Sequence, residues 1–312
     1  MNGRIKYIDT LKGYAIVMIV WWHVKHPDFV NIFFNVPLFF FISGMFFKQY
    51  PFKVFVKKRL SSLVIPLIVF YLISYIWRAI FYACCWHRFT VFDYIGHLTE
   101  FFSIEKGCHY LYVDVPLWFL MCLISVEFIY YFLSKYLNKA LILILVVMCF
   151  IFHKYLSFPA PFMLSQASFE WTYFAIGNIF GMYMIKALKS NKETLVLGVV
   201  AAIMCLFHAE IKTYGAIIIA FIIASRIGNF KILNPLHFCG VNSLIIFGLH
   251  SPFNITFGHI METVYNDQAP VWTGAMEAFV SIICLCLLCG QINRLLKFLS
   301  AKLLYRIKIN PS

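Results

Sequence analysis

Apolar runs separated by short polar or basic links fill the 312-residue chain from its first helix-like segment almost to its end. Ten segments approach the roughly 20 apolar residues that a helix needs to cross a bilayer. They lie at about 10–25, 31–48, 63–83, 112–133, 139–156, 167–186, 194–209, 213–228, 238–256 and 271–293. The pattern predicts an all-α, polytopic integral membrane bundle of about ten transmembrane helices. No connecting segment is large enough to form a domain of its own, and no internal repeat or low-complexity tract interrupts the series. Residues 1–312 therefore read as a single transmembrane domain.

Composition agrees with the pattern. The chain is 62% hydrophobic and only 12% charged, about half the charge of a soluble domain. No A-x-A-like cleavage site follows the first apolar segment, so that segment is expected to be retained as a span. The net charge of +13 would suit nucleic acid or anionic lipid, but its distribution argues for topology instead. Arg4, Lys6 and Lys12, the run Lys53 to Arg59, Lys186 to Lys192, and Arg294 to Lys308 all fall on one side of the expected spans, in every second link. Most acidic residues, among them Asp28, Asp93, Glu100 and Asp267, fall on the other side. The positive-inside rule then places both termini in the cytoplasm.

Ionisable residues inside such segments are the informative ones, because each costs about 2.5–3.5 kcal/mol to insert. In "DTLKGYAIVMIVWWHV", Lys12 and His23 are eleven residues apart. On a helix this puts them within about 20° of one face and roughly 16 Å apart along the axis. Taken separately, they read as a snorkelling lysine and a rim histidine; a shared face suggests a common cavity. Glu127 stands alone in its span and needs a partner, either a buried arginine or a catalytic role. Ser243 and His250 are seven residues apart, which is too far for a direct dyad on one helix, and Pro252 is expected to break that helix near its outer end. Pro37 and Gly44 are expected to disturb the second span. In "KKRLSSLVIP", Lys58 and Arg59 are either topological anchors or phosphate ligands. Cys84, Cys85, His87, His97, Cys108 and His109 match no compact zinc pattern, so no metal is expected and a loop disulfide is the simpler reading. The Cys286-x2-Cys289 pair reads as small hydrophobes in a helix.

Five stretches, in order, resemble the signatures of the membrane-bound acyltransferase-3 family of bacterial O-acyltransferases. Lys12-x10-His23, with Asp9 ahead of it, is similar to the family's Arg/Lys-x10-His motif. "NVPLFFFISGMFF", "KKRLSSLVIP", "PLWFLMCL" and "NSLIIFGLHSP" resemble its later segments. Where many relatives carry Arg-x3-Arg, this chain has Leu63 four residues after Arg59, so Lys57 or Lys58 would have to supply the second cation.

The resemblance implies transfer of an acyl group, usually acetyl from acetyl-CoA, to a hydroxyl of an envelope polysaccharide or its lipid-linked precursor in the bacterial inner membrane. A sugar hydroxyl needs a base to take its proton, and imidazole titrates near working pH, so His23 is the expected general base. Asp9 would orient Lys12, and Lys12, Lys58 and Arg59 would hold CoA phosphates. Asn242 or Ser43 would donate to the thioester oxyanion. Glu127, Ser243 and His250 remain further buried polar candidates. The implied partners are the bilayer, acetyl-CoA and a glycan acceptor, with no nucleic acid. Two other classes fit the same spans: a flippase or exporter using buried His and Glu as gates, and a structural subunit indifferent to His23.

Overall fold

The computed structural model describes residues 4–24, 33–86, 114–152, 161–207, 209–265, 270 and 272–309. Among them all regular structure is helical. In chain order the α-helices are α1 (Lys6–Trp22), α2 (Asn35–Met45), α3 (Phe52–Arg59), α4 (Ile65–Phe81), α5 (Trp118–Tyr136) and α6 (Lys139–Phe152). There follow α7 (Leu164–Ala187), α8 (Asn191–Met204), α9 (Ala209–Ile227), α10 (Asn234–Val241), α11 (Ser243–Tyr265) and α12 (Trp272–Ile309). Each of the ten apolar segments holds helix. Four stretches are long and apolar enough to cross a membrane: Phe52–Cys85, Val115–Tyr136, Ser243–Tyr265 and Trp272–Leu303. Asn35–Met45 and Lys139–Phe152 are apolar but shorter.

The first helix is the centre of the bundle. It packs against α10 most extensively and also touches α2, α9, α11 and α12. Ala15, Ile16, Ile19 and Val20 are fully buried, as expected of a helix that is apolar all round. Lipid tails give no hydrophobic drive between helices, so close backbone approach has to hold the bundle together. Glycines supply it at two crossings. A Cβ on Gly13 would lie 1.7 Å from the Leu236 carbonyl oxygen, and one on Gly240 only 1.6 Å from that of Asp9. Gly44 and Gly177 do the same for α2 and α7, at 1.9 Å from Phe174 O and 2.0 Å from Phe41 O. Gly240→Ala is expected to cost about 3 kcal/mol or more, since the clashing atom is backbone and cannot rotate away. Thermal unfolding in detergent, followed by size-exclusion chromatography, would show it.

Three local expectations are corrected. Pro37 is the third residue of α2, inside the first turn, where a missing N–H leaves no bond unmade. Gly44 serves the α2–α7 crossing. The described helix of the second segment, α2, is therefore regular over its eleven residues. Pro252 does not end its helix either, because α11 continues through it to Tyr265. The interruption falls earlier, at Asn242, which separates α10 from α11. Finally, the basic run is helical and belongs to the third span. A π-helical turn, Leu60–Val64, joins α3 to α4 just before Pro66. The wider turn accommodates the hydrogen bond that Pro66 cannot donate.

Candidate active site

His23 caps the C-terminus of α1, and its Nδ1 lies 2.8 Å from the Ile19 carbonyl oxygen. A carbonyl only accepts, so Nδ1 carries the hydrogen and Nε2 keeps the lone pair. The same argument fixes His250 on α11, whose Nδ1 is 2.7 Å from Phe247 O. The two rings meet edge to face, with centroids 5.0 Å apart and planes at 62°. His23 is exposed, whereas His250 is fully buried behind it. One turn beyond His250, the Asn254 side-chain amide donates to Val20 O at 3.1 Å, tying α11 to the His23 end of α1. Below the histidines, the Phe247, Phe119 and Phe40 rings form an aromatic floor with centroid spacings of 4.9 and 4.8 Å.

The opposite end of α1 is polar. Asp9, nearly buried, forms ion pairs with Arg4 Nε at 2.7 Å and Lys12 Nζ at 3.5 Å. Arg4 also reaches the Val241 carbonyl at 3.3 Å, and Lys6 Nζ donates to Asn234 Oδ1 at 2.9 Å. These contacts lock the start of α1 to α10, so Asp9 acts as a bridge between two cations. Asn242 belongs to this end. Its Nδ2 donates to Phe238 O at 3.0 Å, and its Oδ1 accepts from Asn293 Nδ2 at 3.1 Å. Ser243 is buried beside it as the first residue of α11. The eight residues from Asn242 to His250 span about 12 Å of helix, so Asn242 is not brought to His23.

A third cluster sits at the foot of α4. Arg59 forms an ion pair through Nε with Oε2 of Glu127 on α5, with the guanidinium 5.4 Å from the Phe55 ring centroid. Glu127 is thereby the partner of a half-buried arginine. A pairing through Nε leaves the two terminal nitrogens of Arg59 for another ligand. Lys58, next to it, is exposed and lies 3.6 Å over the Tyr50 ring. A hydrogen bond from Lys58 lowers the Tyr50 phenol below its ordinary pKa. Ser43 is half-buried in α2, and its hydroxyl has no hydrogen-bond partner among the described residues.

The structure thus joins His23 to His250, Asp9 to Lys12 and Arg59 to Glu127. Sequence reasoning missed Arg4 and Asn254. The second had a signal, since it lies four residues after His250 on the same helix face; the first, ahead of the helix, had none. Cys84 and Cys85 are exposed, while His87, His97, Cys108 and His109 lie outside the described residues. Cys286 Sγ lies 3.9 Å from Cys239 Sγ, between α12 and α10. An apolar groove of about 490 Å³ between α1 and α9 is lined by Thr10, Tyr14 and Ala220 among others, but not by Lys12 or His23.

A family model described as an acyltransferase domain matches residues 5–291, a stretch that includes His23, His250, Asp9, Lys12, Arg59 and Glu127. The chain belongs to the acyltransferase-3 family. It is therefore an acyltransferase, and its apolar helices make it a multi-pass membrane protein. No curated protein and no solved structure matches it. Within this acyltransferase, the matched stretch runs through every helix from α1 to the first half of α12.

Proposed function

We propose that this acyltransferase moves an acetyl group from acetyl-CoA to a hydroxyl of an envelope polysaccharide or its lipid-linked precursor, with His23 as the general base. One observation carries the reading: His23 is exposed at the end of the central helix with its Nδ1 committed to Ile19 O, so its Nε2 lone pair is free to take a proton. As the sugar oxygen attacks the thioester carbonyl, its proton passes to Nε2. When the C–S bond breaks, the same proton leaves on the CoA sulphur.

The opposite end of the site is basic, which suits the phosphates of CoA. Lys12 is held by Asp9 and Arg59 by Glu127, while Lys58, next to Arg59 in the chain, is exposed. Guanidinium grips phosphate as a fork, ammonium as a point charge. Roughly 16 Å of helix separates Lys12 from His23, comparable to an extended pantetheine arm. The unbonded Ser43 hydroxyl is the donor proposed for the thioester oxygen. Ten spans and cytoplasmic termini complete the proposal, resting on the apolar segments and the charge pattern of the links, and a bacterial inner membrane, resting on the family resemblance.

Purified protein given radiolabelled acetyl-CoA and a panel of envelope glycans is expected to yield acetylated glycan. Mass spectrometry of surface polysaccharide from a deletion strain is expected to show loss of one acetyl per repeat unit. Unchanged polysaccharide, together with no label transfer in vitro, would overturn the proposal.

A further inference from the structure

We propose that His250 is a positioning residue for acyl transfer, which holds the His23 ring and stabilises the positive charge that this ring acquires on taking the acceptor's proton. The inference rests on the reading of His23 as the base and adds a second residue to that site.

A histidine base becomes an imidazolium in the middle of the reaction. In hydrolytic triads a carboxylate on the far nitrogen orients the ring and balances that charge. Neither His23 nor His250 forms an ion pair with a carboxylate among the described residues. The far nitrogen of His23 meets only the Ile19 carbonyl. Val20 and Val24, near it in the chain, are buried and apolar, and an apolar side chain does nothing for a new cation. Among the described residues, the ring that meets His23 is that of His250.

Two features suit His250 to the task. Its Nδ1–H is committed to Phe247 O, which keeps the ring in one tautomer. Its Nε2 is consequently a lone-pair acceptor, and it is buried with no hydrogen-bond partner among the described residues. An unpaired buried acceptor is normally costly, yet here it belongs to the ring that touches the base. The edge-to-face contact also sets one ring against the π-face of the other, an arrangement that favours a cation. No proton needs to reach His250 in this scheme. The acceptor O–H bond breaks, the proton resides on His23 Nε2, the C–O bond forms, the thioester C–S bond breaks, and the proton leaves on sulphur.

The test compares His250→Phe with His250→Asn in the full-length protein. Phenylalanine keeps a ring in the space but has no acceptor, whereas asparagine restores a polar side chain. The Phe variant is expected to lose about 30–100-fold in kcat with KM for acetyl-CoA within about twofold, and the Asn variant to recover part of that loss. Wild-type kcat in the Phe variant, or an Asn variant no better than Phe, overturns the proposal. Where the Phe variant does not purify as a single species, the Asn variant carries the test, with a fall in kcat at unchanged KM supporting the role and wild-type kcat overturning it. Nitrogen-15 spectra of histidine-labelled protein without substrate give a second readout. They are expected to show both rings protonated at Nδ1, and the His23 signals to move in the Phe variant. Wild-type protein that transfers no acyl group overturns the whole reading of the site. An active wild type with an unaffected Phe variant overturns only the assignment of His250.

Discussion

His23→Ala is expected to abolish glycan acetylation, lowering the rate by about 10²–10⁴-fold, the usual range for loss of a positioned general base. The side chain is exposed at the end of α1. Its removal therefore leaves no buried void, and stability should change little. Insertion, yield and the elution profile in detergent are expected to match the wild type. Binding of acetyl-CoA should also persist, because of the proposed phosphate-gripping residues Lys12 sits at the other end of α1 and Lys58 and Arg59 belong to α3. The assay is label transfer to glycan, with CoA binding measured in parallel. Full activity in the alanine variant would remove His23 from the mechanism and favour a structural or transport role for the protein.

Arg59→Ala should be the most damaging single change to stability. Glu127 is nearly buried and Arg59 is its ion-pair partner. Removing one member of such a pair leaves an uncompensated charge, at a cost of about 3–5 kcal/mol. The double variant Arg59→Met with Glu127→Leu should recover most of that stability, since replacing both members with apolar side chains of similar size is often near neutral. Recovered stability would not bring recovered function. The double variant is expected to keep its melting temperature in detergent while KM for acetyl-CoA rises, by about tenfold if a terminal nitrogen of Arg59 holds a phosphate. A double variant with wild-type KM would leave Arg59 a purely structural residue.

Much of this protein was legible in the sequence because a bilayer constrains the chain so tightly. A segment that must cross hydrocarbon satisfies its own backbone and shows its side chains to lipid, so apolar length alone announces helix. The ten apolar segments all hold helix, and among the described residues four of them are long and apolar enough to cross a membrane. The interest of His23, Glu127 and Arg59 could be read in the same way, since an ionisable group inside an apolar run has to be explained. Helix ends and interruptions were harder. Pro252 looked like a stop and is helix interior, while Asn242 looked like a donor and marks the break between α10 and α11. Local residue type cannot distinguish these cases, because neighbouring helices decide whether a freed carbonyl or a bent backbone is tolerated.

The sequence by itself determined the all-helical membrane class, the family and the polar residues that need partners. Only the tertiary structure decided who those partners are. Glu127 meets Arg59 from another helix, Asp9 bridges Arg4 and Lys12, and His250 arrives beside His23 from a segment more than two hundred residues away. Spacing along one helix predicts which side chains share a face. It says nothing about which face of which other helix comes against it. Here that is set by the close backbone crossings at Gly13 and Gly240 and at Gly44 and Gly177, where small residues let helices approach until their polar groups are within reach.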